Sequence, residues 1–281
     1  MALTEQIAIR RIGREALAEG MALTVEANWN QTAEDWAFFL THGTVFGARD
    51  LTGRLIATAA VLPYAARFAW VSLVIVAKSH RGQGLGRRML DECFMALRER
   101  ALVGMLDATP SGASIYTALG FKPIMELKRW AGSGEVMGAR SDREQVVPSS
   151  DVQRIVSLDA AAFGAERAAL LTDCCARSET RGFELPDRDG YALVRRGRVA
   201  WQLGPVVATS ERDALALLEA AIASTPGVIF VDVPDAWSEI EASLSAHGFA
   251  VQRPFLRMAL GRDSPHGDPS RMFAIAGPEY G

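Results

Sequence analysis

A six-residue run with glycine at every second position is the part of this sequence best suited to bind an anion. An apolar segment, Val71–Ala77, precedes the run, and a segment with apolar residues at helical spacing, Arg87–Arg100, follows it. Glycines allow consecutive backbone N–H groups to point inward, and the start of a helix presents partial positive charge. We therefore predict a diphosphate-binding turn, with added charge from Arg81 or Arg87. Its residues are Arg81, Gly82, Gln83, Gly84, Leu85 and Gly86.

Two other nucleotide-binding patterns share some of these features but fit less well. Gly82, Gly84 and Gly86 alternate, whereas a dinucleotide-binding turn requires the spacing G-x-G-x-x-G. No Gly-Lys-Ser/Thr sequence follows, as a P-loop would require. A tight strand-to-helix turn without a ligand remains the alternative interpretation.

Hydrophobic periodicity predicts the elements that position this turn. Apolar residues at helical spacing predict helices. Short β-rich segments between turn signals predict consecutive strands, which we expect to pair antiparallel. The predicted helices are Glu15–Trp29, Ala33–Thr41, Arg87–Arg100 and Ser111–Leu119, and the predicted strands are Thr44–Arg49, Arg54–Val61, Phe68–Val76, Leu102–Ala108 and Lys122–Trp130.

The second half of the chain repeats this order in a degraded form. A strand at Gly204–Ala208 precedes a helical segment at Ser210–Ala223, and Leu244–Phe249 stands where the first half has Tyr116–Phe121. Matching order and spacing indicate a duplicated unit; two unrelated α/β pieces that share a helix-Gly-Phe-strand corner are the alternative. We predict domains at 1–131 and 148–281, joined by a Gly-, Ser- and charge-rich linker at 132–147.

The glycine turn and the segment Ile115–Phe121, some thirty residues later, together resemble the GNAT superfamily of N-acetyltransferases. The resemblance implies an α/β (α+β) fold of tandem GNAT-like domains, each with a central mixed, largely antiparallel sheet flanked by helices. It also implies that the turn holds the pyrophosphate of acetyl-CoA, with the backbone of Gln83–Arg87 facing the phosphates. The pantetheine and acetyl group would then lie against backbone groups of Val74, Ile75 and Val76.

The resemblance also implies catalytic roles. A backbone N–H of Val74 or Ile75 would stabilise the oxyanion, and Tyr116 would donate a proton to the departing sulfur; a core aromatic is the alternative for Tyr116. A primary amine has a pKa of roughly 10 and must lose a proton before it attacks the thioester. Glu26 and Asp107 are the candidate bases, with a solvated helix charge and a turn cap as their alternatives.

A two-domain bacterial subgroup of this family has similar Trp-Asn and Asp-Ala-Thr-Pro segments. The corresponding residues here are Trp29-Asn30 and Asp107–Pro110. The resemblance implies that Trp29 and Asn30 contact the acceptor. Trp36 is a further pocket candidate, and packing in the core is the alternative for both tryptophans.

The second half departs from the family pattern. Thr209–Asp213 contains two acidic residues and no glycine where the diphosphate would bind, and Leu244 replaces Tyr116. We therefore expect a catalytically silent second domain. Its closing segment, Arg262–Gly281, is expected to dock, and the cleft between the domains is our expected docking site.

The composition narrows the classes of partner. The net charge of −3 provides no global positive field for nucleic acid or an anionic membrane. We find no signal-peptide pattern or membrane-spanning run, and neither the three cysteines nor the four histidines have metal-ligand spacing. The sequence predicts a cytoplasmic monomer or homodimer without a bound metal, with Cys93 as an inert core residue.

We therefore predict an enzyme that transfers acetyl from acetyl-CoA to a primary amine by direct attack. A small acceptor such as an amino acid, an amino sugar or a polyamine is favoured, because a second domain could enclose it. Transfer to a protein amino group and a non-enzymatic acyl-CoA-binding regulatory module are the alternatives.

Overall fold

A computed structural model of the protein describes residues 7–65, 67–134, 146–149 and 151–281. The chain divides into two compact units, the first ending at Leu106 and the second beginning at Asp107. Among the described residues, none of the helices is both long and apolar enough to cross a membrane.

Within its described residues, the first unit contains three α-helices and strands of a mixed sheet. The helices are α1 (Leu17–Ala27), α2 (Ala33–His42) and α3 (Leu85–Glu99), and the strands are β1 (Ile9–Ile12), β2 (Thr44–Arg49), β3 (Leu55–Tyr64), β4 (Phe68–Val76) and β5 (Val103–Ala108), the last of which continues past Leu106. Strands β1 to β4 pair antiparallel in chain order, and β5 pairs parallel to β4.

Helices α2 and α3 of the first unit bury apolar residues. Helix α3 buries Met89, Leu90, Cys93 and Leu97, which recur at helical spacing. Cys93 is fully buried, which confirms its core position, and burial raises the pKa of its thiol.

The second unit contains the remaining helices and strands. The helices are α4 (Pro110–Ala118), α5 (Val152–Phe163), α6 (Ala168–Ala176), α7 (Glu211–Ala223) and α8 (Ser238–Ala246), and the strands are β6 (Phe121–Ser133), β7 (Val147–Ser149), β8 (Arg181–Glu184), β9 (Gly190–Arg196), β10 (Trp201–Ala208), β11 (Val228–Pro234), β12 (Ala250–Leu260) and β13 (Met272–Ala274). Its strand order is β12-β6-β11-β10-β9-β8-β7, with β13 against β10. The pairing of β10 with β11 is parallel, and the other pairings described here are antiparallel.

The compact units divide at an earlier residue than the predicted linker. Strand β6 lies between β11 and β12 and pairs antiparallel with both, so strand pairing draws it into the second unit. Most of the predicted linker, 135–145, lies outside the described residues. The domain boundary at 132–147 therefore stays a prediction.

The predicted elements are present, and β4 has the predicted bounds. The repeated helix-Gly-Phe-strand corner is also present, because Gly120 and Gly248 follow α4 and α8 with φ of +91° and +78°. A glycine in the left-handed conformation is a common helix ending. Strand β1 was not predicted, since its sequence IRRI lacks strict alternation.

Candidate cofactor site

Strand β4 has a bulge near its carboxyl end. Leu73 and Val74 face the single residue Ala59 of β3, because the register shifts between Thr58 and Ala60. Leu73 has φ of +50°, and the buried Thr58 hydroxyl donates a 2.8 Å hydrogen bond to the Leu73 carbonyl. A left-handed leucine costs about 1–2 kcal/mol, so this bond helps to hold an unfavourable conformation.

The peptide groups beyond the bulge alternate between the two edges of β4. The Ala77 N–H donates to the Ile56 carbonyl of β3 at 2.8 Å, and the ladder pairs Ile75 with Thr58. Because N–H direction alternates along a strand, Ile75 faces β3, whereas Val74 and Val76 present their peptide groups to the other edge.

That other edge opens after a short parallel pairing. Strand β4 pairs with β5 only over Phe68–Trp70 and Val103–Met105. The side chains of Val74 and Val76 are half-buried, whereas that of Ile75 is buried. The two strands therefore diverge toward the glycine turn and leave backbone groups of β4 available.

The glycine turn connects β4 to α3. Gly82 and Gly84 have φ of +74° and +76°, and a Cβ built on either residue meets no atom within 4 Å. Backbone conformation therefore accounts for glycine at both positions, and the space beside them is open.

The first turn of α3 carries no side-chain cap. Its N-cap residue is Gly84, and the first intrahelical hydrogen bond runs from the Arg88 N–H to the Gly84 carbonyl at 3.2 Å. The N–H groups of Leu85, Gly86 and Arg87 precede that bond and have no intrahelical acceptor. This arrangement is typical of an anion-binding helix start.

The side chains around the turn are basic. The stretch from Lys78 to Arg88 contains five basic residues, with His80 included, and no acidic residue. Arg81 Nε donates to the Val76 carbonyl at 3.0 Å, and Arg87 Nε lies 3.0 Å from Asp91 Oδ1 on the exposed side of α3. The formal charge of the turn favours an anionic ligand.

Glu26 lies near the end of β4. Its carboxylate accepts a hydrogen bond from the Lys78 N–H and lies 3.6 Å from the Arg54 guanidinium. About a quarter of its side chain is exposed, at 26%. The structure thus brings this candidate base, the end of β4 and the glycine turn together in the first unit.

Asp107 has a different environment in the second unit. Its two carboxylate oxygens accept bonds of 2.8 and 2.9 Å from Nε and Nη2 of Arg257, and its side chain is fully buried. Burial raises the pKa of Asp107, although the Arg257 charge opposes that shift. No local sequence signal could have identified Arg257, which lies 150 positions away.

The predicted substrate-contacting residues lie in the connection between α1 and α2. Trp29 and Asn30 are half-buried, and the Trp29 N–H donates to the Thr24 carbonyl at 3.1 Å. Trp36 is fully buried, its ring would lie 2.7 Å from a Cβ on Gly20, and its Nε1 donates to the Thr24 hydroxyl. The expectation that Trp36 lines a pocket is wrong, because its large apolar ring fills the core.

Tyr116 lies on α4 in the second unit. It is half-buried, and its ring packs edge-on against Phe121 at a centroid distance of 5.9 Å. The corresponding Leu244 is fully buried in the apolar core of the second unit. The two halves therefore differ in exposure as well as chemistry at this position.

The expected docking of the closing segment also needs correction. Strand β13 pairs with β10, and the Ile275 N–H donates to the Asp232 carbonyl of β11 at 3.0 Å. The segment docks on the sheet of its own unit, because its backbone completes hydrogen bonds there. Within the described residues, no group of three or more His, Cys, Asp or Glu side chains is arranged to hold a metal ion.

Family models place this architecture among known proteins. Models described as acetyltransferase (GNAT) domains match residues 41–123 and 155–274. This chain belongs to the GNAT acetyltransferases. It contains two such domains in tandem, which confirms the predicted family, fold class and duplication.

Relatives of this tandem GNAT protein share most of its length. It is 25% identical over 248 residues to the Bacillus subtilis (strain 168) protein named uncharacterized N-acetyltransferase YitH, covering 85% of this chain and 86% of that protein. It is 27% identical over 231 residues to the holothin acyltransferase of a Pseudoalteromonas species (strain SANK 73390), covering 80% and 78%.

Solved structures show the same fold. A putative acetyltransferase from Pyrococcus horikoshii has a TM-score of 0.84 at 20% identity, over 98% of this chain and 96% of that one. A tandem GNAT protein from the clavulanic acid biosynthesis pathway has a TM-score of 0.65 at 15% identity, over 90% and 98%.

Proposed function

We propose that this tandem GNAT protein transfers acetyl from acetyl-CoA to the primary amine of a small-molecule acceptor. The observation that carries the proposal is the uncapped, glycine-flanked start of α3 at the end of the diverging strand β4. The helix start supplies hydrogen-bond donors for a diphosphate. The exposed edge of β4 supplies backbone groups for the pantetheine arm of the cofactor.

The turn supplies the charge and geometry for the cofactor phosphates. The N–H groups of Leu85, Gly86 and Arg87 point out of the start of α3, where the helix dipole favours negative charge. Arg81 and Arg87 add formal charge. A Cβ at Gly84 would point into open space, so a bulky acidic side chain there would compete with the phosphates.

The exposed edge of β4 offers backbone groups to the pantetheine arm and the acetyl group of the cofactor. Val74 and Val76 present peptide groups to the edge that β5 leaves, whereas Ile75 is paired with Thr58 of β3. Of the two predicted oxyanion donors, this favours the Val74 N–H. A fixed backbone donor stabilises the negative charge that develops when an amine attacks a thioester. Attack breaks the carbon–sulfur bond, and the sulfur leaves as a thiol after it takes up a proton.

Glu26 is the better of the two candidate bases. Its carboxylate is partly exposed, and an amine could reach it directly or through water. Both oxygens of Asp107 are occupied by Arg257 in a buried pair, which suits a structural role. Tyr116 remains our proposed acid, and Trp29 and Asn30 our proposed acceptor contacts.

The identity of the acyl group deserves a direct assay. One relative is named an N-acetyltransferase and the other an acyltransferase. Acetyl-CoA and longer acyl-CoA donors should therefore be compared. Turnover of protein amines instead of small amines, or binding without turnover, would favour the two alternative functions.

The deciding experiment is calorimetric titration of acetyl-CoA into the wild type and a Gly84→Glu variant. We expect wild-type binding and its loss in the variant, because the new carboxylate occupies the diphosphate position. Gly227→Glu is a matched control: Gly227 also has φ of +76° and no atom within 4 Å of a Cβ. Absence of wild-type binding, or equal binding by Gly84→Glu, would refute the proposed site.

A further inference from the structure

The second unit repeats the strand divergence seen at the cofactor site. Strand β10 pairs parallel to β11 only over Trp201–Leu203 and Ile229–Val231. Its pairing with β9 shifts register between Leu203 and Val206. In both units, the two parallel strands pair at three residues each. One of the two strands then becomes irregular, and a gap opens between them.

In the second unit this opening is filled by the chain itself. We call residues 272–281 the strap. Strap residues Met272 and Ala274 pair antiparallel with β10, and the Ile275 N–H donates to the Asp232 carbonyl on β11. The strap thus bonds to both diverging strands.

The fit at Gly204 shows how closely the strap is packed. A Cβ on Gly204 would lie 1.9 Å from the Ile275 carbonyl oxygen. No side chain larger than hydrogen could stand at this position while the strap is in place. The β10 sequence is therefore matched to a backbone lying in the opening.

Side chains hold the strap at both ends. Trp237 packs on Phe273 at a centroid distance of 4.2 Å, and its Nε1 donates to the Met272 carbonyl at 2.9 Å. At the other end Arg195 pairs with Glu279, and Arg167 Nη1 donates to the Gly281 carbonyl at 2.6 Å. Nine of the ten strap residues are buried.

We propose that the opening between β10 and β11 is a peptide-binding groove whose ligand is the strap. The strap's peptide groups take the position that the pantetheine arm takes in the proposed function of the first unit. The groove binds an extended apolar peptide by strand addition, with Arg195 and Arg167 as anchors. The second unit is consequently closed to acyl-CoA, and the protein binds one acyl-CoA per chain.

The charges at the start of α7 agree with a peptide rather than a diphosphate ligand. Ser210 caps the helix, and Glu211 and Asp213 lie in its first turn. These carboxylates would repel phosphate groups, so neither the opening nor the helix start accepts the cofactor.

The groove can be tested by cutting the connection to the strap in the folded full-length chain. A protease site inserted between Asp263 and Ser264, both exposed, separates the fragment that carries the strap. After cleavage we expect this fragment to co-elute with the rest of the protein in gel filtration. Its dissociation from a body that keeps a native circular dichroism spectrum would overturn the proposal.

Substitutions on the fragment leave the groove unchanged and supply the controls. Phe273→Asp places a charge on a buried strap residue, so the cut fragment should dissociate. Ser264→Asp adds the same charge outside the strap, and this fragment should be retained. If the insertion prevents folding, hydrogen exchange on the unmodified chain decides: the Ile275 amide should exchange at least ~100-fold more slowly than exposed amides, and fast exchange refutes the groove.

Cofactor stoichiometry tests the consequence separately. Gly84→Glu removes the proposed site in the first unit, so any remaining binding reports the second unit. We expect none, and one remaining acetyl-CoA per chain would show that the strap does not close the second unit. If the wild type also fails to bind, the proposed function fails, whereas the cleavage experiment still tests the groove.

Discussion

The turns that precede α3 and α7 have equivalent positions in the two halves but opposite chemistry. Before α3, Gly82 and Gly84 adopt left-handed conformations and no side chain caps the helix. Before α7, Ser210 accepts the N–H of Asp213, so the helix start is satisfied from within. The start of α3 therefore lacks a side-chain acceptor for its first N–H groups, whereas the start of α7 has one.

The acidic residues at the start of α7 add to this contrast. Glu211 accepts the N–H groups of Glu239 and Ile240 at 3.0 and 3.2 Å, which ties it to α8. Asp213 pairs with Arg188. The same order of strand, turn and helix therefore occurs with an uncapped helix start before α3 and a capped, acidic helix start before α7.

The largest expected effect concerns Tyr116, whose counterpart Leu244 lies in the core. Tyr116→Phe should lower kcat about 100-fold, the scale of general acid catalysis, and leave the Kd of acetyl-CoA nearly unchanged. Steady-state kinetics with calorimetry provide both values. A variant with unchanged kcat would remove Tyr116 from the mechanism, and the two halves would then differ there only in packing.

Charge reversal in the first turn of α3 should make this helix start acidic, as the start of α7 is. Arg87→Glu should raise the Kd of acetyl-CoA about 10-fold at low salt and less at high salt, because salt screens exposed charges. Arg98→Glu, at the exposed end of the same helix, is the matched control. If both variants raised the Kd equally, the effect would come from the overall charge of the protein, and the result would contradict a phosphate site at the start of α3.

The bulge in β4 should depend on the Thr58 hydroxyl. Thr58→Val keeps the side-chain volume but removes the bond to the Leu73 carbonyl, so the free energy of unfolding should fall by about 1–2 kcal/mol. Urea denaturation measures this loss. We also expect a several-fold higher KM for acetyl-CoA. A stability loss with unaltered KM would separate the bulge from cofactor binding.

The smallest effect is expected at the turn before α7. Ser210→Ala removes a helix cap and should lower the free energy of unfolding by about 1 kcal/mol. Acetyl-CoA binding should not change, since this turn serves structure alone. Weaker binding in this variant, measured by calorimetry against the wild type, would contradict the division of roles.

Local chemistry explains what could be predicted at the first turn. The alternating glycines and the flanking apolar strand and helix were sufficient to predict the strand-turn-helix, and the structure added that no side chain caps the start of the helix. The helix-Gly-Phe corner at Gly120 and its repeat at Gly248 were similarly visible, because a left-handed helix ending depends on neighbouring residues.

Partners distant in sequence could not be predicted in this way. The sequence does not distinguish Asp107 from Glu26 as the base, because the pairing with Arg257 is formed only in the folded chain. It also leaves Trp36 as either a pocket or a core residue, and its packing against Gly20 places it in the core. Periodicity reports which face of an element is apolar, and it does not report what lies against that face.

The sequence by itself determined the helices and strands from α1 to β6, the glycine turn before α3 and the absence of such a turn before α7. The tertiary structure decided that β6 lies between β11 and β12, that β4 and β5 diverge, and that the strap fills the equivalent opening beside β10. The physical reason is that turns and caps are set by bonds within a few residues. Strand partners are chosen among all exposed edges of the folded chain, where unpaired peptide groups must find hydrogen bonds.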